Sequence, residues 1–190
     1  MTVNNIRKHL EDRGYPTEKP GYFPVWLDEN ENVAYFPLYN LSGRLVGYQR
    51  YNPTGVKGKD SYKELDENKK YYTYVIRENT DRNVPYIAMF GLHTLKRHKN
   101  YIFVVEGIFD AVKIMKLGEP VIAVLANKPK PLRNFFFCLQ KITIGILDAG
   151  ETNNPVCDIC FSVPNSYKDV GEMPQEKVNE FIEKILKSLK

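Results

Sequence analysis

The chain has 190 residues, 43% of them hydrophobic and 13% aromatic, enough at little more than one domain's length to bury a core. That excludes disorder, collagen-like sequence and coiled coil as descriptions of the whole. Lys+Arg 27 against Asp+Glu 23 leaves +4, a charge that admits a polyanionic partner only where the basic residues cluster. No apolar run reaches the ~18 residues needed to span a membrane, and the polar first ten residues carry no signal-like stretch, so a cytoplasmic protein is expected.

In chain order, a short helix is expected near residues 6–13. Residues 34–51 read as a β-hairpin, with Asn40, Ser42 and Gly43 supplying the turn. A polar loop with Lys57, Lys59, Lys63, Lys69 and Lys70 among Asp60, Glu64, Asp66 and Glu67 leads into a β-rich stretch at residues 71–76. From about residue 85 the pattern alternates. Apolar strands are expected at residues 101–105, 121–125, 142–147 and 159–163, with helices at residues 109–117 and 132–139 between them. Continuous apolar strands alternating with helices predict a parallel sheet covered on both faces. The chain closes on an amphipathic helix from Pro174, with Val178, Phe181, Ile182, Ile185 and Leu189 at helical spacing. The expected organisation is a mixed α+β front domain at 1–84, a Rossmann-like α/β domain at 85–173 and a terminal helix at 174–190.

Ligands of open parallel sheets bind beyond the carboxyl ends of the strands. Glu106 follows the 101–105 strand and Asp148 follows the 142–147 strand. Asp110 lies one helical turn after Glu106, and Asp169 and Glu172 lie in a loop after the last strand. Carboxylates converging without histidine describe a hard-cation site of the Mg²⁺ or Mn²⁺ type. A single Asp after a strand is equally a helix cap, so the pattern rests on the set. Cys157 and Cys160 have the spacing of half a zinc site, but no second pair accompanies them and Cys138 lies in an apolar run, so no zinc is expected. Three cysteines do not make a disulfide framework.

Val104-Val-Glu-Gly-Ile-Phe-Asp110, Ile144-Gly-Ile-Leu-Asp-Ala-Gly-Glu151 and Lys168-Asp-Val-Gly-Glu172 together resemble the Toprim domain of DnaG-like primases and bacteriophage primase–helicases. Phe36-Pro-Leu-Tyr-Asn-Leu-Ser-Gly-Arg-Leu-Val-Gly47 looks like the segment opening the primase catalytic core, and Met89-Phe-Gly-Leu92 like the step before the Toprim glutamate. The resemblance runs from about residue 34 to 173 and keeps the family's order. It implies a metal-dependent nucleotidyltransferase that makes short RNA primers on single-stranded DNA from NTPs. Glu106 would be metal ligand or general base, Asp110 the acid on the following helix, and Asp148 the first aspartate of the family's DxD. Asp169 and Glu172 would be the acids of the late loop. Arg50 matches a basic position of the family; Lys57, Lys59 and Lys70 fall in its template- and triphosphate-binding region.

The chain departs from the family at three points. Gly150 replaces the second aspartate of DxD, leaving Glu151 beside it as a substitute ligand. The usual Gly/Ser-rich turn reads Leu125-Ala-Asn-Lys-Pro129. A zinc ribbon and a Walker A helicase motif are absent, so a separate zinc-ribbon or helicase module is the expected partner. The alternatives are a non-catalytic Toprim protein that binds nucleic acid or a replication partner, and a Toprim nuclease. Asp148-Ala-Gly-Glu-Thr152 also resembles the DxDxT of haloacid-dehalogenase phosphatases, but that assignment leaves Glu106 without a role.

Overall fold

The computed structural model describes residues 5–40, 42–58, 63–76, 88–96, 98–125 and 132–189. The chain divides into two compact units, Met1–Ala88 and Met89–Lys190.

The first unit is built on an antiparallel sheet of four strands in the order β1 (Trp26–Asp28), β2 (Val33–Tyr39), β3 (Leu45–Tyr51) and β4 (Tyr71–Val75). The hairpin predicted from the sequence is β2–β3. Its turn is held by Asn40, whose Oδ1 accepts from the Ser42 and Arg44 backbone N–H groups at 3.1 and 3.0 Å. Ala34, Phe36 and Leu38 alternate inward along β2 and are fully buried. Helix α1 (Ile6–Asp12), capped by Asn5, adds Ile6 and Leu10 to that core. Tyr15 packs against Phe36 with ring centroids 5.2 Å apart.

β1 was not foreseen: three residues between Pro24 and an acidic turn are too few to show an alternating pattern. Its brevity explains Pro37 in the middle of β2. β1 pairs only with Val33, Ala34 and Tyr35, so among the described residues β2 has no strand on that side where the proline falls. Proline, lacking an N–H, is tolerated at such a place.

The second unit carries a four-stranded parallel sheet in the order β6 (Val121–Ala123), β5 (Tyr101–Val105), β7 (Ile142–Leu147) and β8 (Ile159–Ser162). Consecutive residues of a strand point to opposite faces. Ile102 to Val105 and Thr143 to Leu147 are nonetheless all buried, so both faces of the central strands are covered. Helix α2 (Ile108–Met115) follows β5, and of its eight residues only Lys113 escapes burial. Helix α3 (Arg133–Cys138) precedes β7, and helix α4 (Gln175–Ser188) rests on α2 through the stripe of Val178, Ile182 and Ile185.

β6 stops at Ala123, two residues before its predicted end, because Leu125 takes a left-handed backbone at φ 55. Pro174 is the residue before α4 and not its first turn. Gly145 sits inside β7 because a side chain there would have its Cβ 2.9 and 3.1 Å from the Cys157 and Cys160 sulfurs. The CxxC pair is thus packed against a strand. Among the described residues no helix is long and apolar enough to cross a membrane.

Candidate active site

The chain leaves β5 toward β6 on one side and returns to β7 on the other, so the strand order switches direction between β5 and β7. Open parallel sheets form their ligand crevice at such a point. Glu106 immediately follows β5, and Asp148 immediately follows β7. The register Val104↔Gly145 carries forward so that Asp148 lies one residue beyond the position opposite Glu106. The sequence thus places these two acids at the ends of neighbouring strands.

Asp110, in the first turn of α2, is buried. Its Oδ2 accepts the Gly107 backbone N–H at 3.1 Å, and its Oδ1 accepts the Gly171 N–H at 2.7 Å. Burial, then the negative charges of Asp169 and Asp148, push its pKa up to about 7 against the pull of those two N–H bonds. Asp110 therefore feels the charges of Asp148 and Asp169, but it has an oxygen committed to each of two backbone segments.

The loop carrying Asp169 and Glu172 is drawn to Asp148 by a backbone bond from Ala149 N–H to the Lys168 carbonyl, 2.9 Å. Within the loop, Asp169 Oδ1 caps a 3₁₀ turn (Val170–Glu172) by accepting Glu172 N–H at 3.0 Å. Glu172 Oε2 reaches back to Lys168 N–H at 3.2 Å. The two acids so shape the loop they stand on. Glu151 is exposed, with its N–H bonded to the Asp148 carbonyl at 3.1 Å and its own carbonyl bonded by the Ser162 hydroxyl. Gly150 has φ 85, and no atom lies within 4 Å of where its Cβ would be.

The donors at this edge are all hard carboxylate oxygens, the type that Mg²⁺ and Mn²⁺ take. A cation would offset the negative charge that raises the Asp110 pKa. Among the described residues, however, no three or more His, Cys, Asp or Glu side chains are grouped so as to hold a metal ion by themselves. The residues fit such an ion in chemistry, as partial ligands and not as a complete cage.

The basic residues foreseen in the first unit fall into different settings. Arg50, on β3, donates to the Asp66 and Glu67 carbonyls at 3.2 and 2.9 Å and so fixes the loop entering β4. The Lys57 ammonium lies 5.8 Å from the Tyr71 ring centroid. Lys70, half-buried, has its pKa lowered by burial and by the charge of Arg13. Lys59 lies outside the described residues.

Two residues that sequence reasoning missed stand beside Lys70. Arg13, at the end of α1, donates to the Tyr51 and Tyr71 hydroxyls at 3.2 and 3.4 Å, and its guanidinium lies 5.6 Å from the Tyr51 ring centroid. His9 Nε2 is 2.8 Å from the same Tyr51 hydroxyl. Burial, then the charges of Arg13 and Lys70, lower the His9 pKa, with Asp12 pulling the other way. Arg13 and Lys70 thus oppose protonation of His9 beside the Tyr51 and Tyr71 hydroxyls. The i, i+4 spacing of His9 and Arg13 was the available signal, masked by Glu11 and Asp12 between them.

No family model matches the chain, and no curated protein matches it in sequence. Its fold does match solved structures. A DnaG primase catalytic domain bound to single-stranded DNA superposes with TM-score 0.65 at 15% identity, over 96% of this chain and 70% of that one. The E. coli primase catalytic core gives TM-score 0.59 at 16% identity, over 85% and 66%. A chain of a bacteriophage T7 assembly, in which the lagging-strand DNA polymerase meets primase domains bound to an RNA/DNA hybrid and dTTP, gives TM-score 0.59 at 20% identity, over 94% and 73%. The fold is of the mixed α/β class, an antiparallel sheet followed by a parallel one. In particular, it is the fold of the DnaG-type primase catalytic core, of which this chain spans roughly two thirds to three quarters.

Proposed function

We propose that the chain is a primase-type nucleotidyltransferase core that joins NTPs into short primers on single-stranded DNA. The observation that carries the reading is the position of Glu106 and Asp148 at the switch point of a primase-fold sheet, with Asp110 within reach of the charges of Asp148 and Asp169. In such chemistry a divalent cation neutralises developing phosphate charge and orients the phosphates. Glu106 and Asp148 would hold that cation, since Mg²⁺ ordinarily needs only one or two protein carboxylates.

Glu106 also receives the proton of the attacking hydroxyl, whose oxygen displaces pyrophosphate from the α-phosphorus. Asp110 is a positioning residue: its two N–H bonds tie the late loop to the start of α2. Asp169 adds negative charge, while Glu151 and Glu172 serve on the flanking loops. Arg13, His9 and Lys70 form a basic cluster of the first unit that takes a phosphate anion. Arg50 braces the loop before β4, and Lys57 and Lys59 meet the template. A zinc-ribbon or helicase module works with this core, in the cytoplasm of the cell or host.

The test is incorporation of labelled NTPs on single-stranded DNA with Mg²⁺ or Mn²⁺. Product that disappears in Glu106→Gln and Asp148→Asn is expected; no product from the wild-type chain would reject the reading.

A second reading, a non-catalytic nucleic-acid-binding relative, is favoured by Gly150 in place of an acid and by the commitment of Asp169 and Glu172 to their own loop. It predicts single-stranded DNA binding without synthesis, unchanged in Glu106→Gln.

A further inference from the structure

Gly145, in the middle of β7, leaves a space that two sulfurs share. The point a Cβ would occupy there lies 2.9 Å from Cys157 Sγ and 3.1 Å from Cys160 Sγ, so the sulfurs are separated by no more than the total of those distances. The two side chains also share a hydrogen bond, which keeps the sulfurs side by side.

Both residues are fixed through their backbones. Cys160 is in β8, where its partner in the register is Gly145 itself. Cys157 N–H donates to the Asn154 carbonyl at 3.1 Å, and the next residue, Asp158, donates its N–H to the Thr143 carbonyl at 3.0 Å. Asn154 is buried, and its Oδ1 accepts the Val156 N–H at 3.2 Å, closing the turn before Cys157. Two thiols that meet from an anchored turn and an anchored strand have little freedom left to lose on joining. Both are half-buried, whereas Cys138 is exposed on α3. Among the described residues no three or more His, Cys, Asp or Glu side chains are grouped to hold a metal, so sulfur–sulfur chemistry suits the pair better than a zinc cage.

We propose that Cys157 and Cys160 form a reversible disulfide site, oxidised by a small disulfide of the glutathione class and reduced again by a dithiol. The Cys160 thiolate attacks one sulfur of the oxidant, making a mixed disulfide and releasing the first glutathione thiolate. Cys157 then loses its proton, attacks Cys160 Sγ and expels the second. The two protein thiols give up two electrons, which the S–S bond of the oxidant receives, and their two protons end on the released glutathiones. Burial, then the charges of Cys160 and Asp158, push the Cys157 thiol up, which makes Cys160 the first to react. The bridge braces the entry to β8 against β7, three residues before Asp148, and it holds whether or not the chain makes primers.

The test equilibrates the full chain in glutathione buffers from reducing to oxidising, quenches with acid, and counts free thiols by maleimide labelling and mass spectrometry. Cys157 and Cys160 should leave the count together, joined within one peptide, with Cys138 outside the bridge. Cys157→Ser should abolish the bridge. Because the fold brings the thiols together, the equilibrium constant for bridging should drop about tenfold when urea unfolds the chain. By the same linkage, the oxidised chain should have the higher urea midpoint. The proposal is overturned by thiols that stay labelled in the oxidising buffer, by a glutathione held on each of the two, or by a bridge that forms only in urea. A bridge to Cys138 or between two copies overturns it equally.

Discussion

Asp110 and Gly171 are joined across 61 positions of sequence by a 2.7 Å hydrogen bond, backbone N–H to carboxylate Oδ1. A single buried side chain thereby fastens the late loop to the helix that begins at the candidate site. Burial, and after it the negative charges of Asp169 and Asp148, raise the pKa of that carboxyl to about 7.

That arrangement sets a pH dependence of stability. The Asp110 pKa rises on folding from an ordinary 3.8 to about 7, so the folded state binds this proton more tightly. The associated stability is fully present below pH ~4 and is lost as pH rises through about 7, a swing on the order of 4 kcal/mol. Urea unfolding at pH 5 and pH 8 should show the loss in the wild type. Asp110→Asn should be less pH-dependent, although weaker at pH 5, because its amide can accept only one of the two N–H bonds. An equal slope in both proteins would refute the assignment.

Gly150 tests whether the missing acid matters. The position has φ 85 and open space around it, so Gly150→Asp fits at a backbone cost of about 1–2 kcal/mol. Restoring the carboxylate should tighten Mn²⁺ binding, measured by calorimetry, and raise primer synthesis wherever the wild type has any. Unchanged Mn²⁺ affinity would show that this turn does not face the cation.

For the basic cluster, inorganic pyrophosphate is the simplest ligand. It should bind the wild-type chain with an affinity that rises as pH falls through the His9 titration, since the anion favours the protonated ring that Arg13 and Lys70 oppose. Arg13→Lys keeps a charge and loses the guanidinium fork, and should weaken binding about tenfold. Titration calorimetry at pH 5.5 and 7.5 reads both effects; pH-independent affinity would remove His9 from the site.

Gly145 and the two thiols offer a packing test. Gly145→Ala brings a methyl to within 2.9 Å of the Cys157 sulfur and should destabilise by about 1–3 kcal/mol, the range for overpacking. Adding Cys157→Ala removes the nearer of the two obstructing sulfurs, so the double variant should be more stable than the sum of the single losses implies. Strict additivity in denaturant midpoints would locate the strain elsewhere.

Much of this was legible in the sequence because the signals were local. Ile102 to Val105 and Ile144 to Leu147 read as buried strands from composition alone, and the acids after them followed from chain order. The α4 stripe showed its helical period. What stayed hidden depends on contacts distant in sequence. The bond between Asp110 and Gly171 is one such contact, because nothing near either residue announces it. Arg13 and His9 were hidden because acidic neighbours cancel their charge in any window, while their real neighbours, Tyr51, Lys70 and Tyr71, arrive by sheet register. β1 was too short to carry a period at all.

Pro37 bears on how the chain behaves in company. Among the described residues the flank of β2 beyond Tyr35 carries no strand, and it would otherwise present a row of backbone groups on which another extended chain could template itself. A residue without an amide hydrogen in the middle of that flank interrupts the ladder such a newcomer needs, so the first sheet is guarded against growing sideways into aggregates.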